Sequence, residues 1–328
     1  MLTHDDILSG LQSGSRRSLA KAITLCESKL PGDRTKALKL LEHLRTRETK
    51  SLRIGISGSP GVGKSTFIES FGKYFLNQGH KLAVLTIDPT SPRSSGSILG
   101  DKTRMEELTQ HPHCFIRPSP AGVSLGGVAR RTREAILLCE ASGFDTILIE
   151  TVGVGQSEHI ISTMVDIFMY LTLPHAGDQL QGIKRGILEL SDVIVVTKAD
   201  GDLKLAAEQA ALDHKSALHY LRPDPERLEP QVFISSAYEK KGLDLIYNAL
   251  QDMLTELLKS GKFETRRSAQ NQKWFESEVY EQILEHISHS EIIQTLMTET
   301  KAKLLNKEIP PPVAAAKILA AYFEKNTL

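Results

Sequence analysis

Eight residues from Gly58, GSPGVGKS, hold three glycines, a proline and a lysine directly behind the apolar run LRIGIS. Their spacing is G-x-x-x-x-G-K-[ST], the pattern of a loop whose backbone N–H groups close around phosphate oxygens. Gly58, Pro60, Gly61, Val62 and Gly63 would form the cradle. Lys64 would reach the β- and γ-phosphates, the Ser65 hydroxyl would ligate Mg²⁺, and Thr66 would follow in the first helical turn. The run STFIESFGKYFL behind the loop reads as a helix, whose N-terminus adds the positive end of its dipole.

A phosphate loop alone does not choose a base. VIVVTKADGD, at 193–202, is a strand candidate ending in [NT]-K-x-D. The Asp200 carboxylate would accept hydrogen bonds from guanine N1–H and its 2-amino group, an edge that adenine lacks. A site built around such a bond rejects the analogue without it, because a buried group is then left unpaired. Lys198 would lay its stem along the base, and Thr197 stands where Asn is more usual. Downstream, FISSAYEKKGLDLI places Ser236 and Ala237 where a loop amide would contact the guanine oxygen. The three motifs in this order point to GTP and GDP as the bound nucleotides.

The acids for metal binding and hydrolysis must come from loops behind the middle strands. Glu150 ends TILIE and is followed by T-V-G, so Glu150 would hold Mg²⁺ directly or through water. The Gly153 N–H would sense the γ-phosphate. Asp88 ends LAVLTID and Asp101 sits in SSGSILGDKTRM. The expected metal set is therefore Ser65, Asp88, Asp101 and Glu150, and the expected catalytic set Lys64, Asp101 and Glu150. HPHC at 111–114 straddles a strand entry with no second ligand cluster, and His175 has no carboxylate to orient it. The basic run ARRTREA, at 129–135, reads as a solvated or interface face of a helix.

Elements that could position these residues are legible in the periodicity. Strand candidates are 52–57, 81–88, 113–117, 145–150, 166–173, 192–198 and 231–235, mostly apolar on both faces as in a helix-covered parallel sheet. They alternate with helical runs, which predicts an α/β doubly wound, mostly parallel sheet with N- and C-terminal helical extensions. Leu19, Ala22, Ile23, Cys26 and Leu30 share one helical face, and PGD at 31–33 interrupts that pattern. The expected organisation is a helical extension over 1–50, a P-loop GTPase domain over 51–258 and a second helical extension over 259–328. The charged stretch 259–272 reads as a linker.

Composition limits the rest. The 40 basic and 40 acidic side chains cancel, so there is no electrostatic case for nucleic acid or an anionic membrane as main partner. Cys26, Cys114 and Cys139 are scattered, as expected of thiols in a reducing compartment. MLTHDDILSG is acidic and polar rather than signal-like, and no apolar run reaches the roughly 18 residues a bilayer needs. A cytoplasmic location is expected.

The chain resembles the MeaB/ArgK family, G-protein chaperones of methylmalonyl-CoA mutase and related adenosylcobalamin-dependent mutases. The resemblance rests on GSPGVGKST, TIDPTSPRSSGSILGDKTRM, FIRPSPAGVSLGGVARRTREA, ETVGVGQSE, GDQLQGIKRGI and TKADGD. It implies a homodimer, with the C-terminal extension as dimerisation arm, and an adenosylcobalamin-dependent acyl-CoA mutase as partner. It also implies that Lys64, Ser65, Asp88, Asp101 and Glu150 form the phosphate and Mg²⁺ site, with Lys198 and Asp200 on the base. Gln156 and Lys184 would help couple nucleotide state to the mutase. Thr197, His175 and Gln179 depart from the family pattern. Two other readings are a metallochaperone GTPase for another client and a kinase of a periplasmic amino-acid-binding protein.

Overall fold

Seven strands form one sheet in the computed structural model: β1 Leu52–Gly58, β2 Leu82–Asp88, β3 Cys114–Pro120, β4 Thr146–Thr151, β5 Ile167–Thr172, β6 Val193–Val196 and β7 Gln231–Ile234. Their order is β3-β2-β4-β1-β5-β6-β7, and every pairing is parallel. The structure describes residues 3–28, 30–44, 50–88, 105–120, 125–151, 157–175, 185–220, 224, 227–288 and 290–326. All seven strand candidates appear, with ends moved by up to three residues.

The strands are apolar on both faces because both are covered. Along β2, Leu82 and Val84 face one core with Ile54, Ile56 and Leu148, while Ala83, Leu85 and Ile87 face the other. The first core is closed by Phe67, Phe71 and Phe75 of α4 (Lys64–Asn77) and by Ile246 and Leu250 of α10 (Leu243–Ser260). Short α5 (Glu106–Gln110) adds Leu108 to it. The second core takes Leu138 of α6 (Leu125–Ala141) and Ile161 of α7 (Ser157–Ser162). Alternation with period two thus fills two cores from one sheet.

The N-terminal helices α1 (His4–Gln12), α2 (Arg16–Glu27) and α3 (Pro31–Glu42) belong to the second core. Leu19, Ala22, Ile23 and Cys26 are buried there, whereas Leu30 is exposed and caps α3, which starts with proline at its first turn. Thr3 and Asp6 form a reciprocal capping box on α1. The basic run 129–135 is not a solvated face. Arg130 and Glu134 are buried, Glu134 pairs with Arg34 of α3 at 2.5 Å, and Arg133 donates to the Thr163 hydroxyl at 2.9 Å. Glu134 thus meets a charge from α3, and Arg133 an oxygen just behind α7.

At the entry ends of the central strands lies a buried ionic cluster. Arg53 of β1 donates to Glu140 at 2.8 and 2.9 Å, and Arg267 donates to Asp166 at 2.8 and 2.7 Å. Arg267 lies on α11, Lys262–Ser288, which starts where a linker was expected. Gly261, at φ +73°, ends α10, and the next helix begins at once. Lys, Glu, Arg, Gln and Ala at 262–273 are good helix formers, so their charge indicates a polar helix surface and not a flexible connection.

Two compact units divide the chain, Met1–Gln270 and Asn271–Leu328. The second holds the rest of α11 with α12 (Glu291–Leu305) and α13 (Pro311–Asn326). Between α7 and α10, the first unit also holds α8 (Arg185–Leu190) and α9 (Lys204–His219). No helix among the described residues is long and apolar enough to cross a membrane.

Candidate functional site

The GSPGVGKS stretch is a strand–loop–helix turn at the carboxyl edge of β1, between β4 and β5. That edge, in a sheet whose order reverses direction there, is where open α/β folds bind ligands. A side chain at Gly58 would put its Cβ 2.5 Å from the Leu171 carbonyl oxygen, so only glycine lets the loop leave the strand here. Gly61 and Gly63 adopt φ of +80° and +92°, which turns successive amides inward. Gly63 is the N-cap of α4 and offers no side-chain acceptor, leaving the first amides of that helix directed at the loop's concavity.

Lys64 is folded over this loop. Its ammonium donates to the Gly58 carbonyl at 2.7 Å and the Ser59 carbonyl at 3.3 Å. Burial pushes its pKa below the ordinary lysine value, and the carboxylates of Glu150 and Glu158 pull it back in part. Glu150 lies buried at the end of β4, opposite Ile56 of β1 and Thr86 of β2. Beside it, the buried Thr151 hydroxyl donates to Ser57 Oγ at 2.9 Å, tying β4 to β1 just before the loop. Glu158, in the first turn of α7, is buried as well. It was not singled out from the sequence, where no spacing rule distinguishes the last residue of GQSE. Only folding brings its charge to bear on Lys64.

The oxygens of Ser65, Glu150 and Glu158 are donors of the kind a small hard cation takes, and Mg²⁺ binds with few protein ligands plus phosphates and water. Among the described residues no cluster of three or more His, Cys, Asp or Glu forms a metal cage by itself. For Asp88 the description extends to its backbone at the end of β2. Asp101, Gly153, Gln156, Gln179 and Lys184 lie outside the described residues.

The TKAD element leaves β6 and meets the phosphate loop. Thr197 is buried, and its hydroxyl lies 2.8 Å from the Val62 carbonyl and 3.1 Å from the Thr172 carbonyl. Lys198 adopts φ +55°, unusual for a residue with a side chain, and its ammonium donates to the Gly61 carbonyl at 2.8 Å. Its stem passes 3.7 Å from where a Cβ on Gly63 would stand. Asp200 accepts from the Ser236 hydroxyl at 2.5 Å, and that hydroxyl in turn accepts from the Glu239 amide at 3.0 Å. Ser70 on α4 donates to the Ala237 carbonyl at 3.0 Å, linking the loop behind β7 to the helix behind the phosphate loop. Pro60 and Gly61 of the loop and Thr66 of α4 are exposed, and Val62 is buried.

Two tempting features lie elsewhere. Cys114 is buried in the first core, where burial pushes its thiol up to about 12. His175 is an exposed turn residue behind β5.

A family model described as "Methylmalonyl Co-A mutase-associated GTPase MeaB" matches residues 19–291. A mouse protein named "Methylmalonic aciduria type A homolog, mitochondrial" is 43% identical over 328 aligned residues, covering 97% of this chain and 79% of its own length. The Escherichia coli "GTPase ArgK" is 42% identical over 301 residues, covering 92% of this chain and 91% of its own. A solved structure described as an LAO/AO transport system kinase is 34% identical with a TM-score of 0.74, covering 98% of this chain and 97% of that one.

Proposed function

The chain belongs to the MeaB family of methylmalonyl-CoA mutase-associated GTPases, and from that premise we propose that it gates adenosylcobalamin loading onto a methylmalonyl-CoA mutase-type enzyme. It is a GTPase that binds guanine nucleotides. The proposal adds the direction of its work: GTP binding and hydrolysis time the transfer of cofactor to the mutase and protect the loaded enzyme.

The observation that carries the site assignment is the direct bonding of the phosphate loop to the TKAD element, through Thr197 to Val62 and Lys198 to Gly61. A nucleotide with its phosphates in the loop would place its base beside Asp200, which Ser236 already orients. Lys64 would exchange its bonds to the Gly58 and Ser59 carbonyls for β- and γ-phosphate oxygens. Amides of Gly61, Val62, Gly63, Lys64, Ser65 and Thr66 would cradle the phosphates, and Gly153 would contact the γ-phosphate. Ser65, Asp88, Asp101 and Glu150 would hold Mg²⁺, which when bound neutralises charge across the β- and γ-oxygens. Glu150 and Asp101 would orient the attacking water. Residues 51–258 would be the GTPase domain, with 1–50 and 259–328 as helical extensions.

Homodimer formation belongs to the same proposal. Within Asn271–Leu328 only Ile293, Ala314 and Tyr322 are buried among the described residues, while Phe275, Tyr280 and Leu284 are each more than 60% exposed. Such an apolar surface calls for a partner copy. A cytoplasmic location accords with the scattered free thiols.

GTP turnover by the purified protein, with and without an adenosylcobalamin-dependent mutase from the same source, tests the reading. Stimulation with GTP and none with ATP is expected. Unchanged turnover with every such mutase would sink the client assignment while leaving the GTPase. The kinase description of the related structure supplies the competing outcome, transfer of ³²P from ATP to an amino-acid-binding protein.

A further inference from the structure

We propose that α5 is a relay that fastens the N-terminal helices to the phosphate-loop helix, with Glu69 as its positioning residue, so that filling the nucleotide site stabilises α2. The inference rests on the nucleotide assignment above and deepens it: the N-terminal extension becomes a nucleotide-responsive part of the molecule and not mere packing.

Short α5 is gripped from both ends. At its start, Glu69 Oε1 accepts from the Glu107 amide at 3.0 Å and the Leu108 amide at 3.3 Å. These are first-turn donors that a helix this short cannot satisfy internally. No side chain of its own caps the helix, so the cap comes from α4. Lys73, one turn beyond Glu69, pairs with Glu107. Between them Gly72 admits Leu108 so closely that a Cβ would lie 2.9 Å from its side chain. Glu69, Gly72 and Lys73 follow the i, i+3, i+4 spacing of one helical face, and that face also includes Ser65, one turn earlier.

The far end is held by the N-terminal extension. Arg16, in the first turn of α2, donates to the Thr109 carbonyl at 3.4 Å and to the His111 carbonyl at 3.1 Å. The His111 carbonyl also accepts from the Cys114 amide at 3.1 Å, which carries the link into β3. Met105 and Leu108 are fully buried in the core under α4, so α5 cannot slide without disturbing that helix. Phosphates bound at the start of α4 would immobilise the Ser65–Lys73 face. Through Glu69 and α5, that order would extend to Arg16 and α2. A second tie, from Arg117 of β3 to Thr24 and Glu27 of α2, does not pass through α5 and provides the competing route.

Hydrogen exchange on the full chain, with and without GDP–Mg²⁺, tests the relay. In the unaltered protein, nucleotide should slow exchange of the α4, α5 and α2 amides, the last by about fivefold. Glu69→Ala should keep the effect on α4 and lose it on α2. Glu69→Gln, whose carbonyl oxygen can accept the same two bonds, should restore it, which general loosening of the fold would not allow. Arg16→Ala, a change at an exposed side chain, should keep the response in α5 and lose it in α2. Full nucleotide protection of α2 in Arg16→Ala or Glu69→Ala would overturn the relay and favour the Arg117 route. Protection of α4 and α5 with none in α2 of the unaltered chain would overturn it too. Absence of protection on α4 itself would instead refute the nucleotide site, and the relay with it.

Discussion

Replacing Thr197 by valine tests the joint between the phosphate loop and the TKAD element, proposed to read the base, with little change of shape. Valine fills the same volume and keeps the backbone bond by which the Thr197 amide donates to the Thr172 carbonyl at 2.9 Å. It removes the hydroxyl that reaches the Val62 carbonyl at 2.8 Å in a site where Thr197 is only 4% exposed. The Thr172 carbonyl therefore stays satisfied and the Val62 carbonyl loses its donor. Leaving a buried acceptor unmade costs about 1–3 kcal/mol. The lower half of that range is expected, because the exposed neighbours Pro60 and Gly61 let the loop shift toward water. Urea unfolding of the nucleotide-free protein should register about 1–2 kcal/mol lost with an unchanged slope. GDP binding, by calorimetry, should weaken by about tenfold or less, the equivalent of up to about 1.4 kcal/mol. Thr197→Ser restores the hydroxyl and should recover most of both effects. Equal stability and equal GDP affinity for Thr197→Val and the unaltered chain would show that the bond plays no part in holding the site.

Asp200→Asn should shift preference from GTP toward xanthosine triphosphate, since the amide can donate to an oxygen where guanine presents its amino group; if competition binding still favours GTP, Asp200 does not read the base. Arg267→Leu strips the guanidinium from the buried Asp166 carboxylate and should cost about 3–5 kcal/mol in urea unfolding. A loss under about 1 kcal/mol would mean that the Arg53 amide, 2.8 Å from the same carboxylate, suffices. Glu140 gives a pH prediction. Burial pushes its pKa up, but the bonds and charges of Arg53, Arg267 and Ser51 outweigh burial and hold it below the ordinary glutamate value. Its folded pKa is thus depressed, so its contribution is present above about pH 4.5 and is lost as pH falls through the folded value. Glu140→Gln should flatten the decline of the urea midpoint between pH 6 and pH 3, and an unchanged slope would assign acid unfolding to other groups.

Features that obey local rules were legible in the sequence. Strands buried on both faces announce themselves as apolar runs, and even the half-buried β7 keeps an apolar Val-Phe-Ile stretch, so all seven were visible from 52–57 to 231–235. The phosphate loop was equally plain, because its backbone geometry demands glycine at Gly58, Gly61 and Gly63. Charged residues were read less well, since a charge indicates solvent only when no partner folds against it. Glu134 found Arg34 a hundred residues away, and Arg267 found Asp166, so of the two readings of 129–135, solvated or interface face, the packed one holds, and the supposed linker is an anchored helix. Glu158 was missed for the same reason: its effect on Lys64 depends on where α7 packs. Thr197 looked like a weakened match by residue type, yet its hydroxyl supplies a bond to the phosphate loop.

The two ends of the proposed site differ in how far they are assembled before nucleotide arrives. At the base end Asp200 is oriented by Ser236, Lys198 is spanned to Gly61, and Ala237 is tied to α4 through Ser70. Little ordering remains there, so guanine recognition should contribute the same energy to GTP and GDP. At the phosphate end Lys64 is bonded to the loop's own carbonyls and must leave them, exchanging two bonds to neutral oxygens for contacts with anionic ones. Both sets of bonds are charge-assisted through the ammonium, but phosphate oxygens add a full opposite charge that carbonyls lack, so that exchange should be favourable and should grow with the number of phosphates. On the proposed site, base selectivity would therefore be built into the folded chain, while the difference between GTP and GDP would be generated at Lys64 and the elements that follow it.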